Sequence, residues 1–397
     1  KVNLNSRGTN PIYIIDDLIV DISEMPLDPH EIESVSFISD IVGKALYGPH
    51  AANGIVYIKT KRGIANKRNL QVTAETGVSI TDRFPHWVLG GDYARLNNTA
   101  RQNSGMEQLY SSEDIAAYEK NDPYDMYHPN INFRDMMYKN VRPLTRVNVS
   151  TDGGSDKIQY FAYLGYNGEG DNFAMGADAN YNRVNARSNI DVQITEDIDV
   201  QLGIYGGLTI RNSPNYGYFA SDASTNFSLV EMNSLLGDLT TIPSIAFPVY
   251  ASNDGILKKP WYAVSSAYGS NPIGKLNSNG YYEEKTRTSA AHIALDYNLG
   301  KFIPGLRSRS FITFNVLNLT RIGKAEDYIA YTVTPTKTTS GQDSILLAKV
   351  RDGLDMHDQV KLHDYYYQRL SFYQKFSYAR TFGDHGLQMG LTYLLSN

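Results

Sequence analysis

Two segments flanking Thr195-Glu196-Asp197 alternate in polarity with a period of two, and this constrains the fold more than any other feature of the chain. Before the turn, Val184, Ala186, Ile190, Val192 and Ile194 share one face, and Asn185, Arg187, Asn189, Asp191 and Gln193 share the other. After it, Ile198, Val200, Leu202, Ile204, Leu208 and Ile210 oppose Asp199, Gln201, Tyr205, Thr209 and Arg211. Successive side chains of a strand point to opposite faces, so the pair reads as an antiparallel hairpin. Alternation alone also fits a half-buried sheet facing water. The apolar faces carry almost no charge along successive strands, however, and that suits hydrocarbon.

Seven weaker segments extend the series, at 70–80, 144–151, 157–166, 288–299, 310–319, 366–382 and 387–395. Most are near the ten residues that a tilted strand needs to cross a bilayer. Tight turns at 152–156, 195–197, 300–305 and 383–386 alternate with long stretches at 81–143, 168–182, 212–286 and 320–364. If 70–80 runs outward, every tight turn falls on the inner side and every long connection on the outer side. That is the arrangement of outer-membrane barrels. About nine strands cannot close around an internal domain, because the large plugged barrels have about 22. The expectation is therefore a partial barrel, with the chain ending inside it.

Composition is consistent with this reading. Mean hydropathy is −0.37, as expected where outward apolar and inward polar residues average out. No apolar run reaches the roughly 18 residues of a transmembrane helix. Tyr dominates the aromatics, with 30 against 14 Phe and 2 Trp, and the Tyr365-Tyr366-Tyr367 run falls where an interfacial girdle is expected. The absence of Cys excludes disulfides and thiolate chemistry, and a net charge of −5 argues against a nucleic-acid partner.

The first sixty residues read differently. Ile12 to Ile15 form a short strand ending at Asp16-Asp17. Asp28 is placed to cap a helical turn, with Pro29 first and Glu31 as capping-box partner. A strand follows at 34–39 with Val35, Phe37 and Ile38 as its apolar members. Asp40 caps a short helix through Ala45 and Leu46 that Gly48 ends, and a strand returns at 54–60. Within this order stand YIID (13–16), EIESV (31–35), LYGPHAANG (46–54) and KTKRG (59–63). These four motifs together resemble the plug domain of TonB-dependent outer-membrane transporters of the SusC/RagA type. The motif positions are Asp16, Asp17, Glu31, Asp40, Tyr47, Gly48, Asn53, Gly54, Lys61 and Gly63. Asp17 stands where the family usually has glycine, and Ser39-Asp40-Ile41 where it has a Lys-Asp-Ala-like run.

The resemblance implies a mainly β fold: a transmembrane antiparallel β-barrel, here partial, with a small α/β plug inside it. The plug would comprise residues 1–66 and the barrel 67–397. It implies residence in the bacterial outer membrane, no enzymatic activity and no cofactor. It also implies import of glycan oligosaccharides or peptides with a SusD-like surface lipoprotein, driven by TonB through a segment upstream of Lys1. A plug that must release under tension is expected to hold its wall through polar and charged pairs. Asp16, Asp17, Asp40, Lys59, Lys61 and Arg62 are candidates, opposed by Arg187, Asp191 and Arg211. Two other readings remain: a barrel retained as a structural or assembly component without transport, and a soluble all-β carbohydrate-binding or hydrolytic protein.

In the long connections, short helices are expected at 92–102 and at 111–120, the second with a capping box between Ser111 and Asp114. Tyr216, Tyr218, Phe219, Trp261, Tyr262, Tyr281 and Tyr282 are candidates for stacking on a substrate. Gly165, Gly168 and Gly170 read as a flexible outer loop rather than a phosphate loop. No Gly-x-Ser-x-Gly elbow occurs. His357, His363 and Asp364 read as loop surface, and Asp122, Asp125 and Asn130 do not fit a calcium-binding EF-hand.

Overall fold

The computed structural model describes residues 11–20, 27–39, 51, 53–81, 83, 86–215, 235–252, 260–355 and 359–396. Asp40, Tyr47, Gly48, Tyr216, Tyr218, Phe219 and His357 lie outside the described residues. Two sheets organise the rest.

The smaller sheet contains β1 (Ile12–Ile15), β2 (Leu18–Val20), β3 (Ile32–Ile38) and β4 (Ile55–Thr60), in the order β2-β1-β4-β3. The β1–β4 pair is parallel and the others antiparallel. Asp16 (φ 47°) and Asp17 (φ 68°) turn β1 into β2 in the left-handed region, the backbone that matches the twist of a two-residue hairpin. A 3-10 turn at Pro29–Glu31 carries the expected capping box, with both of its bonds formed. Ile14, Ala51 and Ile55 pack on one face; Ile15, Val20, Val56 and Ile58 pack on the other. In β3, Val35 and Phe37 are exposed, and Ile38 is the member that joins the core.

The larger sheet contains β5 (Arg68–Ile80), β6 (Val141–Gly154), β7 (Ile158–Glu169), β8 (Asn180–Gln193), β9 (Ile198–Pro214), β10 (Tyr250–Ser252), β11 (Trp261–Val264), β12 (Gly280–Asn298), β13 (Leu306–Lys337), β14 (Asp343–Asp355), β15 (Val360–Phe382) and β16 (His385–Ser396). Nine of these form an antiparallel run of neighbours, β5-β6-β7-β8-β9-β12-β13-β15-β16. Each expected strand is present, usually longer than the alternation suggested.

Three expectations need correction. Residues 320–364 are not a loop, because β13 runs for 32 residues and its outer half pairs with β11 and β14. At about 3.4 Å per residue it measures on the order of 100 Å, far beyond a ~30 Å hydrocarbon layer. Gly165 and Gly168 lie inside β7, not in a loop. Gly153 and Gly154 still belong to β6, so that turn narrows to 155–157.

The long connections fold together at the outer end. Helices α1 (Gly90–Asn103), α2 (Ser112–Tyr118), α3 (Phe133–Met137) and α4 (Pro272–Ser278) lie in them. Ile131, Phe133, Met137, Leu235, Val249, Tyr262, Ile273 and Tyr328 share one apolar core there. Asn271 ties this core together: its Nδ2 donates to Val249 O (3.2 Å) and Ala263 O (2.8 Å), while its Oδ1 caps α4. Segments distant in sequence thus become a cap of fixed shape.

Candidate functional site

The concave face of the nine-strand run meets the smaller sheet, and the polarity of this wall is the reverse of a soluble protein's. Along β8, Arg183, Asn185, Arg187 and Asn189 are buried, while Val184 is exposed. On neighbouring strands Asn148, His292, Thr313 and Asn315 are buried, while Leu164, Ile204, Ile293 and Ile312 face outward and are exposed. Polar groups inside and apolar groups outside are the arrangement stable in a bilayer.

Glu31 is the centre of the contact. Its carboxylate accepts from the Asp28 N–H (3.2 Å), closing the capping box of the 3-10 turn, and also meets side chains of β8. Arg187 Nε donates to Glu31 Oε2 at 2.7 Å, and Asn185 Nδ2 donates to Glu31 Oε1. The Glu31 and Arg187 side chains are 0% and 4% exposed. A charge this deep is tolerable only when paired and hydrogen-bonded, as here. Asp16 accepts from Thr60 N (2.9 Å) and from the Thr60 hydroxyl, and lies 3.9 Å from Arg187 Nη1. Asp28 caps the turn and also faces Arg146 (3.6 Å) and Arg183 (3.9 Å), so it is more than a helix cap.

Two further ion pairs lie nearer the tight turns. Arg62 Nη1 donates to Asp191 Oδ1 at 2.5 Å, and Arg309 Nη2 donates to Asp17 Oδ2 at 3.0 Å. Asp17 also accepts from Tyr57 Oη (2.8 Å), and Arg309 is steadied by Asp296 and by Gln201 (3.0 Å). Lys61 contributes its backbone: its N–H donates to Glu31 O (2.8 Å) and its carbonyl accepts from Asn189 Nδ2 (2.7 Å). Gly63 runs against the backbone of β7, where an added Cβ would stand 2.3 Å from Tyr160 N. Gly54 leads into β4 with its N–H on Ala51 O at 3.0 Å, beside Asn53. Lys59 is exposed, and Arg211 lies over the Tyr181 ring at 5.7 Å rather than against the smaller sheet. Sequence reasoning missed Arg309 and Arg146, since pairing across the lumen leaves no local pattern.

The comparisons with known proteins agree with this geometry. No family model matches the chain. It is 23% identical over 221 residues to TonB-dependent receptor P3 of Formosa agariphila, covering 53% of this chain and 19% of that protein. It is 26% identical over 201 residues to TonB-dependent receptor SusC of Bacteroides thetaiotaomicron, covering 48% and 18%. A chain of the RagAB peptide importer in its open-open state shares the fold, with a TM-score of 0.59 at 15% identity over 98% of this chain and 48% of that one. In sequence and fold the chain is similar to SusC/RagA-type TonB-dependent receptors.

This is a family of non-enzymatic β-barrel receptors of the bacterial outer membrane. The chain spans about half the length of the RagAB chain, and its match covers about a fifth of the curated relatives.

In this SusC/RagA-like chain the outer aromatics divide into two groups. Tyr262 is buried in the cap core with its ring edge-on to Tyr328, and Tyr282 is buried with Arg321 over its ring. Both are closed to a ligand, which corrects the expectation for these two. Trp261 stacks on Tyr331 (4.5 Å between centroids) and is partly exposed, and Tyr281 is exposed. Asn130 accepts from Gly90 N (2.9 Å) and donates to Tyr118 O (3.0 Å), while Asp122 and Asp125 accept from backbone N–H groups nearby. These three act as loop staples. Asp171 sits in the outer connection after β7, where burial raises its carboxyl above the ordinary range despite N–H groups from Asn172 and Phe173.

Proposed function

We propose that residues 11–66 form the plug of this receptor, that residues from 67 onward form part of its barrel, and that the whole protein imports a bulky polar nutrient. The observation that carries this is the reversed polarity of the wall together with its charged contacts to the smaller sheet. A lumen blocked by Glu31–Arg187, Arg62–Asp191 and Asp17–Arg309 stops free diffusion, yet water can replace each contact as the sheet is pulled inward. Such a gate needs an external energy source, which TonB supplies to the family. The reading extends to a SusD-like lipoprotein at the outer mouth and to an oligosaccharide or peptide cargo. The named RagAB structure is of a peptide importer; SusC and the Formosa receptors are relatives by sequence.

Cargo too large for simple pores gives the physical motive for a plug. Deleting residues 11–63 from the full-length protein is expected to leave a barrel permeable to large solutes in liposome swelling. Permeability unchanged by that deletion would sink the plug reading.

A further inference from the structure

Tyr205 and Ala290 face inward and meet the smaller sheet. An even number of residues further out on the same strands, Arg211 and Glu284 face the same way, about 20 Å beyond that contact. They belong to one continuous row of direct strand partners on the concave face: Glu169, Tyr181, Arg211, Glu284, Arg321 and His363, on β7, β8, β9, β12, β13 and β15. Just past Arg211, Ser213 and Asn215 are buried, and Asn215 Nδ2 donates to Asn279 O at 2.9 Å beside α4. The row therefore lies between the smaller sheet and the outer cap.

Both acids of this row are engaged. Glu169 pairs with Arg142 (3.6 Å), and Glu284 accepts from Arg321 Nε (3.1 Å) and Nη2. Glu284 has an arginine as direct partner on either side, and its carboxylate goes to Arg321, which is only 13% exposed. Arg211 is left without a carboxylate among the described residues; it is exposed, and its guanidinium lies over the Tyr181 ring at 5.7 Å. A guanidinium held over a ring keeps its in-plane N–H donors free, and their planar fork matches a carboxylate.

We propose that Arg211, steadied by Tyr181, is a lumen subsite for a carboxylate of the cargo, so that the cargo is acidic. The inference rests on the import reading and adds to it the chemistry of what is imported. The carboxylate can come from a uronic-acid oligosaccharide or from an acidic peptide side chain, and in both it takes the place beside Arg211 that Glu284 yields to Arg321.

The test is isothermal titration of the full-length protein in detergent. The probes are trigalacturonate against neutral galactotriose, and N-acetylated, C-amidated Glu-Glu-Glu against Gln-Gln-Gln. Expected is binding of an acidic probe above its neutral counterpart, weakening as salt rises. Arg211→Gln should weaken that binding about tenfold, the effect of losing one charge-assisted hydrogen-bonded pair, and leave the neutral probe unchanged. Arg211→Lys should restore only part of it, because a point charge replaces a fork. Arg287→Gln, an exposed arginine on the opposite face of β12, should change nothing. The pair that titrates distinguishes a sugar from a peptide source, and titration of both acidic probes assigns the carboxylate alone. Should Arg211→Gln fail to assemble, Tyr181→Leu carries the test by unseating the guanidinium. Acidic probes that bind no better than neutral ones, or as well to Arg211→Gln as to the unaltered protein, overturn the inference, as does titration of neither acidic probe. If the plug deletion still opens the barrel in liposome swelling, the import reading survives that failure; a deletion without effect overturns the plug reading itself.

Discussion

Glu31 Oε2 lies 2.7 Å from Arg187 Nε, and the same carboxylate closes the capping box of its own 3-10 turn. One side chain therefore fixes local structure in the smaller sheet and its attachment to the wall. Removing only the acid strands a buried guanidinium, which costs about 3–5 kcal/mol. Glu31→Ala is expected to expose the chain to trypsin at Lys61 and Arg62, with Glu31→Gln less affected because glutamine still serves a capping box. A Glu31→Ala, Arg187→Met double variant is expected to recover much of the loss. Equal sensitivity of the single and double variants would refute the pairing.

Gly203 on β9 faces His292 on β12, where a Cβ would stand 2.1 Å from the imidazole Cε1. Gly203→Ala is expected to push the ring off its place and to cost about 1–3 kcal/mol as overpacking. The temperature at which the folded band is lost in heat-modifiability electrophoresis checks this. His292→Ala in the same chain should restore much of the loss.

Ile204, beside Gly203, faces outward and is exposed. In a bilayer Ile204→Arg costs about 2–4 kcal/mol near the midplane, whereas Ile204→Leu is neutral. Urea titrations in lipid vesicles measure the difference. An arginine without effect there would mean that this face does not meet hydrocarbon.

The outer cap separates its two adjacent aromatics. Tyr262→Ala empties a core position and is expected to cost about 3–5 kcal/mol within the cap. Trp261→Ala loses a stack on Tyr331 worth about 0.5–1.5 kcal/mol beyond its buried area. Limited proteolysis of the outer connections should rank the two variants in that order.

Asp114 accepts from the Ser111 backbone N–H (2.9 Å), and also from the Ser111 hydroxyl and His128, which together hold its carboxyl below the ordinary range. A depressed acid contributes stability above its unfolded value and loses it as pH falls through the folded one. The segment around α2 is therefore expected to loosen on acidification below about pH 4, read as protease sensitivity at 111–128. Asp114→Asn should be loosened already at neutral pH, and its sensitivity should change less with acid.

Much of this was legible in the sequence, for reasons that differ by region. The period-two alternation of β8 and β9 survives because each face meets one medium throughout. The capping boxes at Asp28–Glu31 and Ser111–Asp114 are local, so their spacing reveals them. Pairing across the lumen is not local: Arg309 stands 292 positions from Asp17, and only the folded wall brings them together. The outer half of β13 carries no bilayer-type alternation because it pairs with β11 from another long connection and with β14 from its own, and residues such as Tyr331 and Val333 pack on a protein core rather than lipid. Tyr262 and Tyr282 looked available in a stretch rich in Tyr, Asn and Ser; burial depends on partners such as Tyr328 and Arg321 that lie far along the chain.

β13 bears Arg309 at its inner end and Tyr328 and Tyr331 in the outer cap, with hydrogen-bonded neighbours on both sides over most of its length. Such a ribbon behaves as a strut roughly 60 Å long between those points. One strand thus joins the outer cap to the ion pair with Asp17, and its ladder is interrupted between those points by the register shift at Arg321–Ile322.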